Sequence, residues 1–450
     1  MIKSYFFVGI GGSGMMPLAE IVAAQGHMVA GSDRSLDQGR LGAKFEALAA
    51  KGIGLHVQDG SGILSGDQIV VASAAVEATV PDIIQATALG CPRMTRAELL
   101  AELFNAAPVS IGVGGTSGKS TVTGMIGWIM NQCGRDPTIM NGAVMKNYSS
   151  GSRVGAGGVF VSEVDESDGS IALYHSTVAV LNNVAVDHKT MAELRTLFGD
   201  FLGRARSAVV NTDNGEARAL LPDHATTFGI SDGATLQATE IVEHPDRVSF
   251  TVTDHASKTT CAARLAVPGL HNVSNALAAI GTATRAGIGL HEAVAAIGSF
   301  SGLKRRFEKV GEVDGITVID DFGHNPDKIT ATMQTLHAFP GRVLAFFQPH
   351  GFGPLKQMGR ELAEAFRANL NADDHLIICD PVYFGGTVDK SVGADALVAM
   401  IGGQAEYIAS REDCGARLVA LARPGDRIII MGARDDTLSL FAQSVLDRLG

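Results

Sequence analysis

Short apolar runs alternate with stretches of helical period along most of the chain. Residues 5–10 read as a buried strand. Residues 17–26 read as a helix with Leu18, Ile21 and Val22 on its apolar face and a glycine at its end. Residues 27–31 and 68–73 read as further strands, and strands that alternate with helices predict a parallel sheet with helices on its faces. The rhythm restarts at 108–113, a strand that runs into the glycine-rich 114–118. A helix follows, with Val122, Met125, Ile126, Ile129 and Met130 recurring at helical spacing. Strands are predicted at 159–163, 178–181 and 207–211. The Thr- and Val-rich stretch 235–267 predicts a small β insertion, and 272–285 a helix stopped at Gly287. Beyond Phe307, strands at 317–320, 343–347, 376–379 and 427–431 are separated by helix-length segments. The pattern predicts an α/β protein of three units, 1–105, 106–303 and 304–450. A length of 450 residues at roughly 150 per domain points the same way.

Composition narrows the function. Hydrophobic residues make up 46% and charged residues 18%, which excludes disordered and fibrous classes. The net charge of −11 argues against a phosphate polymer as partner, and 6% aromatic residues leave little for base stacking. Small anions remain possible ligands, because local backbone N–H groups can outweigh the global charge. Five scattered cysteines with no C-x-x-C pair predict neither a disulfide framework nor a zinc cluster and fit a reducing cytoplasm. No apolar run approaches the ~20 residues of a membrane span.

Five segments carry chemistry. Gly9, Gly11, Gly12 and Gly14 form a G-x-G-x-x-G-like turn between strand and helix, with Asp33 at the end of the next strand. Such a turn lets backbone approach a diphosphate: NAD(P), FAD or a nucleotide sugar. Gly115-Thr116-Ser117-Gly118-Lys119-Ser120-Thr121 is a P-loop-like triphosphate cradle with a Mg²⁺-binding hydroxyl, although Val113 stands where the generic pattern has its first glycine. The carboxylates of Glu163, Asp165, Glu166 and Asp168 end an apolar strand and call for a cation nearby; Asp187-His188 ends another. His271-Asn272-Val273-Ser274-Asn275 can read an adenine edge or cap the helix that starts there. Arg305-Arg306-Phe307 and Asp320-Asp321-Phe322-Gly323-His324-Asn325-Pro326 offer a guanidinium for a transferring phosphoryl group and carboxylates for ribose hydroxyls.

Taken in this order, and with Arg96–Glu102 and Gln348-Pro349-His350, the segments resemble the Mur ligase family over nearly the whole chain. The resemblance implies a UDP-sugar-binding Rossmann-like domain, a central P-loop ATPase-type domain and a C-terminal Rossmann-like domain that binds the amino acid. It implies ATP-dependent amide formation between the carboxylate of UDP-N-acetylmuramate and an amino acid, L-Ala or another, through an acyl phosphate. The setting would be cytoplasmic peptidoglycan precursor synthesis or recycling, by a monomer or homodimer without nucleic-acid or membrane partners. By the same resemblance Gly9, Gly11, Gly12 and Gly14 hold the UDP diphosphate, which demotes NAD. Lys119 reaches the β- and γ-phosphates, and Ser120, Glu163 and His188 coordinate Mg²⁺. Arg306 steadies the transferred group, and His324 lies near the amine. His271, Asn272 or Asn275 serve the adenine and Asp321 the ribose; Ser32, Asp33, Ser73, Asn325 and His350 attend the substrates.

The chain departs from the family pattern in places. Ser117 and Ser120 replace His and Thr in the cradle, and Phe322 and Asn325 alter the aspartate motif. A loop is expected at 351–356, where the family carries several arginines; here only Lys356 is basic, and one lysine cannot grip a carboxylate bidentately. The acceptor therefore stays open between L-Ala, another amino acid and a short peptide. A non-catalytic nucleotide-binding paralogue is the remaining alternative.

Overall fold

The structure is a computed structural model, and it describes residues 2–40, 42–73, 76–186, 189–382, 390–433 and 435–450. Asp187 and His188 lie outside the described residues.

Three sheets organise the chain. The first is wholly parallel, in the order β3 (Gly54–His56), β2 (Met28–Ser32), β1 (Ser4–Val8), β4 (Ile69–Ala72), β5 (Arg93–Thr95). The order reverses at β1, so the loop after β1 opens at a topological switch point, where open α/β sheets bind ligands.

The second sheet has ten strands. Its parallel heart runs β11 (Ser207–Asn211), β10 (Val178–Leu181), β6 (Val109–Gly114), β9 (Val159–Glu163), β7 (Thr138–Met145). One edge adds β8 (Ser150–Arg153), antiparallel to β7. The other adds β12 (Ala225–Gly229), β13 (Leu236–His244), β14 (Arg247–Asp254) and β15 (Thr259–Leu265). The expected β insertion is thus three strands, and β14 buries alternate residues as a half-covered strand should.

The third sheet runs β16 (Glu308–Val313), β17 (Ile316–Asp321), β21 (Arg427–Gly432), β18 (Val343–Gln348), β19 (His375–Ile378), β20 (Ala405–Tyr407), with only β16 antiparallel. Its central strands are buried on both faces and read as unbroken apolar runs, which is why the sequence shows them so clearly.

Two compact units divide these contacts: residues 1–239 with 251–263 and 274–300, and residues 240–250, 264–273 and 301–450. Both glycine loops belong to the first. A single core joins Phe7, Ile10 and Leu18 of the N-terminal sheet to Phe160, Phe198 and Phe201 of the second. Phe104 sits at the seam. Fully buried in helix Arg96–Ala106, it meets the rings of Phe160 and Tyr174 edge-on at 5.8 and 5.0 Å. In the second unit Asp320 is buried in β17. It accepts a 2.7 Å hydrogen bond from Ser439 Oγ, while Arg305 Nε stands 3.7 Å away. Burial pushes its carboxyl up to about 6.

Two predictions follow from this packing. Phe104→Ala should lower stability by about 3–5 kcal/mol in urea unfolding, and a loss under about 1 kcal/mol would contradict the seam. Asp320 binds its proton more tightly folded than unfolded. Its contribution is therefore most favourable below about pH 4 and is lost as pH rises through about 6. Stability should fall by at most about 3 kcal/mol over that window. Asp320→Asn should flatten that decline in pH-dependent unfolding curves.

Candidate active site

Helix Met15–Ala24 follows the first glycine loop with Gly14 at its N-cap and no side-chain cap. The loop is tied from behind. Gly9 N–H and Ile10 N–H both donate to Ser32 O, at 2.8 and 2.9 Å, and Gly12 N–H donates to Gly9 O. Asp33 accepts Gly11 N–H on one carboxylate oxygen at 2.9 Å and caps Ser35 N–H with the other at 2.7 Å. Gly11 and Asp33, expected at the substrate, are thus bonded to each other within the fold. Gly11 is buried, its N–H is taken, and a Cβ there would strike the Phe45 ring at 2.8 Å and Asp33 at 3.0 Å. Its lack of a side chain serves close packing, and Asp33 serves as a brace. Ser32 likewise turns inward, its hydroxyl donating to buried Asp82 at 2.6 Å. Gly12, Ser13 and Gly14 form the open edge of the turn.

The second loop leaves β6, whose strand geometry runs through Val113 to Gly114. Val113 is fully buried and its carbonyl accepts from Val164 N–H, so a side chain is wanted there and the missing glycine is explained. Gly118 is needed for its backbone: it caps helix Lys119–Gln132 at φ 82°, and a Cβ would lie 2.5 Å from Asn182 Nδ2. Two asparagines hold the loop. Asn183 Oδ1 accepts from Thr116 Oγ1 and Ser117 N–H at 3.0 and 2.8 Å, and Asn182 Nδ2 donates to Ser117 O and Asn275 Oδ1. Sequence reasoning missed both, although an Asn-Asn pair ending an apolar strand was a visible signal.

Parallel pairing sets Glu163 opposite Val113. Ser120 Oγ donates to Glu163 Oε2 at 3.1 Å, and Gly142 N–H donates to Glu163 Oε1. Lys119 Nζ pairs with Glu166 Oε2 at 2.7 Å. One cavity of about 520 Å³ is lined by Gly9, Gly12, Ser13 and Gly14 of the first loop, by Lys119 of the second motif, and by Glu163 and Asp165. Ser73, Arg96, Asn141 and Tyr174 are among its other lining residues. Arg96 was not singled out for a role. Yet its guanidinium Nη1 lies 3.4 Å from where a Gly14 Cβ would stand, which puts a fixed cation beside the first loop.

The second unit holds the remaining candidates. Arg306 lies over the Phe322 ring at 4.6 Å and Arg305 at 5.0 Å. Both Asp321 carboxylate oxygens are engaged, by Phe307 N–H and by Thr332 Oγ1, each at 2.8 Å. Asn325 caps helix Pro326–His337 through Lys328 N–H, and Asn272 Nδ2 donates to Pro268 O at 2.7 Å. His271 is an exposed residue of the first turn of its helix. His324 Nδ1 lies 2.8 Å from Phe322 O. A carbonyl only accepts, so Nδ1 carries the proton and Nε2 the lone pair. Burial lowers the imidazole to about 3, which keeps it neutral, and the His350 ring stands edge-on at 5.0 Å. Residues 352–356, expected as a loop, are the first turns of helix Phe352–Asn369; Gly351 at φ 146° makes the corner that lets it begin early.

Comparison with known proteins finds relatives along the whole chain. The Mur ligase family, catalytic domain, matches residues 4–107; the Mur ligase middle domain matches 113–283; and the Mur ligase, glutamate ligase domain, matches 305–434. A UDP-N-acetylmuramate–L-alanine ligase of Ruegeria pomeroyi is 36% identical over 98% of this chain and 96% of its own. One from a Synechococcus strain is 35% identical over 97% and 85%. Among solved structures, UDP-N-acetylmuramate-alanine ligase MurC from Thermotoga maritima superposes with a TM-score of 0.78 at 22% identity, covering 99% of this chain and 98% of that one. A murein peptide ligase from Psychrobacter arcticus gives 0.70 at 24% identity, covering 100% and 99%. The fold, the ordered motifs and identity across the whole length together make this chain a member of the Mur ligase family.

Proposed function

We propose that the chain joins L-alanine to the carboxylate of UDP-N-acetylmuramate at the expense of ATP, as the relatives' names describe for those proteins, in cytoplasmic peptidoglycan precursor synthesis. The observation that carries this reading is that one cavity is lined by the first glycine loop and by Lys119 of the second motif. A donor diphosphate on one side and a triphosphate on the other would face each other across it. The regions 1–105, 106–303 and 304–450 then serve the UDP-sugar, ATP and the amino acid in turn.

In this reading Gly12, Ser13, Gly14 and Arg96 take the diphosphate, with Ser73 on the donor. Gly115–Thr121 cradle the nucleotide phosphates, with Lys119 at the β- and γ-positions. Ser120 Oγ and Glu163 Oε2, 3.1 Å apart, are hard oxygen donors of the kind Mg²⁺ takes, and His188 would join them. The ion, when bound, neutralises charge on the transferring phosphoryl group. The donor carboxylate takes the γ-phosphoryl group and ADP is left. The amine nitrogen then attacks the acyl carbon, loses a proton, and the collapse of the tetrahedral intermediate expels phosphate. Arg306 is assigned to the phosphoryl group, His324 and His350 to the amine, Asp321 to the ribose and Asn272 or Asn275 to the adenine. For Asp321, Asn272 and Asn325 the structural bonds described above would stand beside any ligand contact.

Three outcomes are expected. With UDP-N-acetylmuramate and ATP, a mass-spectrometric screen of amino acids and murein peptides should give ADP and the L-alanyl product. Turnover with a peptide alone would move the reading to a murein peptide ligase, as the single basic residue in 351–356 would favour. No turnover with any acceptor would sink it. Lys119→Ala should lower kcat by about 10²–10³-fold in a coupled ADP assay. Gly14→Val, which drives a side chain toward the Arg96 guanidinium, should raise the KM for the UDP donor about tenfold and leave that for ATP unchanged.

A further inference from the structure

Lys119 begins the helix behind the second glycine loop, and its ammonium is held by Glu166 at 2.7 Å. The pair is not a surface contact. The Glu166 side chain is 6% exposed and that of Lys119 18%, so water screens neither charge well. Glu166 is fixed by its own segment. Gly169 N–H donates to Glu166 O, Ser167 N–H to Asp165 Oδ1 and Ile171 N–H to Asp165 O, which closes a tight turn between β9 and the short 3₁₀ helix Ser170–Leu173. That turn carries the carboxylate toward the loop independently of Glu163, which is bound to Ser120 and Gly142.

A Lys119 contact to phosphate and the Lys119–Glu166 pair draw on the same ammonium. A phosphate oxygen brought up to it would meet the Glu166 carboxylate at close range in a poorly screened place, and the two anions repel. If the ammonium swings to the phosphate, Glu166 is left buried without its counter-charge, which costs free energy. A triphosphate offsets that cost with the charge and contacts of its γ-phosphate; a diphosphate has less with which to do so. We propose that Glu166 is a positioning residue for Lys119: it yields the ammonium to the terminal phosphate of ATP and recovers it when that phosphate has been transferred, so that ADP is disfavoured and leaves. The proposal rests on the reading of residues 115–121 as the triphosphate cradle.

The test is calorimetric titration of the full-length protein, with Mg²⁺, using ADP and a β,γ-methylene ATP analogue. Glu166→Gln keeps the shape and removes the charge. It should tighten the ATP analogue about tenfold, because the analogue no longer has to break the pair, and ADP by a smaller factor, because ADP gains only its own weaker Lys119 contact; stopped-flow release of ADP should slow in step with its affinity. A role in folding alone would not change the ratio of the two affinities. An affinity for the ATP analogue that is unchanged or weaker, or a change for ADP that is as large or larger, overturns the proposal. Should Glu166→Gln fail to fold, Glu166→Asp withdraws the charge by one methylene, and the same ratio should move in the same direction by about threefold. Wild-type protein that binds neither nucleotide, or whose binding survives Lys119→Ala, would instead defeat the cradle reading itself.

Discussion

The parallel pairing of β6 with β9 is the constraint on which the candidate site depends. It sets Glu163 beside the end of the strand that feeds the glycine loop, where Ser120 can reach it. In a parallel sheet a slip of one residue turns every side chain to the other face. Such a slip would set Ser162 or Val164 opposite Val113 in place of Glu163 and carry the carboxylate away from the loop. Phe160 and Val161 are buried on opposite faces of the strand, and their different volumes fit each to its own side.

Around that pairing, polar side chains do structural work that fixes the loops before any substrate arrives. Asp33 and Ser32 brace the first loop from beneath, and Asn182 and Asn183 brace the second. Such bracing keeps the exposed edge, Gly12 to Gly14, and the cradle at Lys119 and Ser120 in defined places. It also explains how an acidic chain can present a site for anions. Arg96 and Lys119 line the same cavity as the first glycine turn. Local cations and N–H groups decide the field there, whatever the total charge.

The second unit shows the same economy. Phe322 underlies both Arg305 and Arg306, and its N–H donates to Arg305 O at 2.8 Å, so the arginine pair and the aspartate motif form one assembly. Arg305 and Phe307 hold φ values of 59° and 48°, which non-glycine residues adopt at a cost; the assembly supplies the compensating contacts. His324 is kept neutral by burial and oriented by a backbone carbonyl, which leaves one lone pair with a defined direction.

The sequence alone determined the α/β class, most central strands and both glycine loops. Strands buried on both faces appear as apolar runs, and a phosphate-binding turn needs glycines at fixed spacing. It also revealed the carboxylates after β9, because four acids in six residues are costly without a partner. Tertiary structure decided which of these residues line the cavity and which are bonded within the fold. Gly11, Asp33, Ser32 and Asn325 carry the right chemistry, yet each is bonded within the fold. Arg96, Asn182 and Asn183 lie in segments whose importance depends on neighbours about 60–80 residues away in the chain. Hydrogen bonds between such distant segments leave no period or spacing in a sequence, so only the folded chain could reveal them.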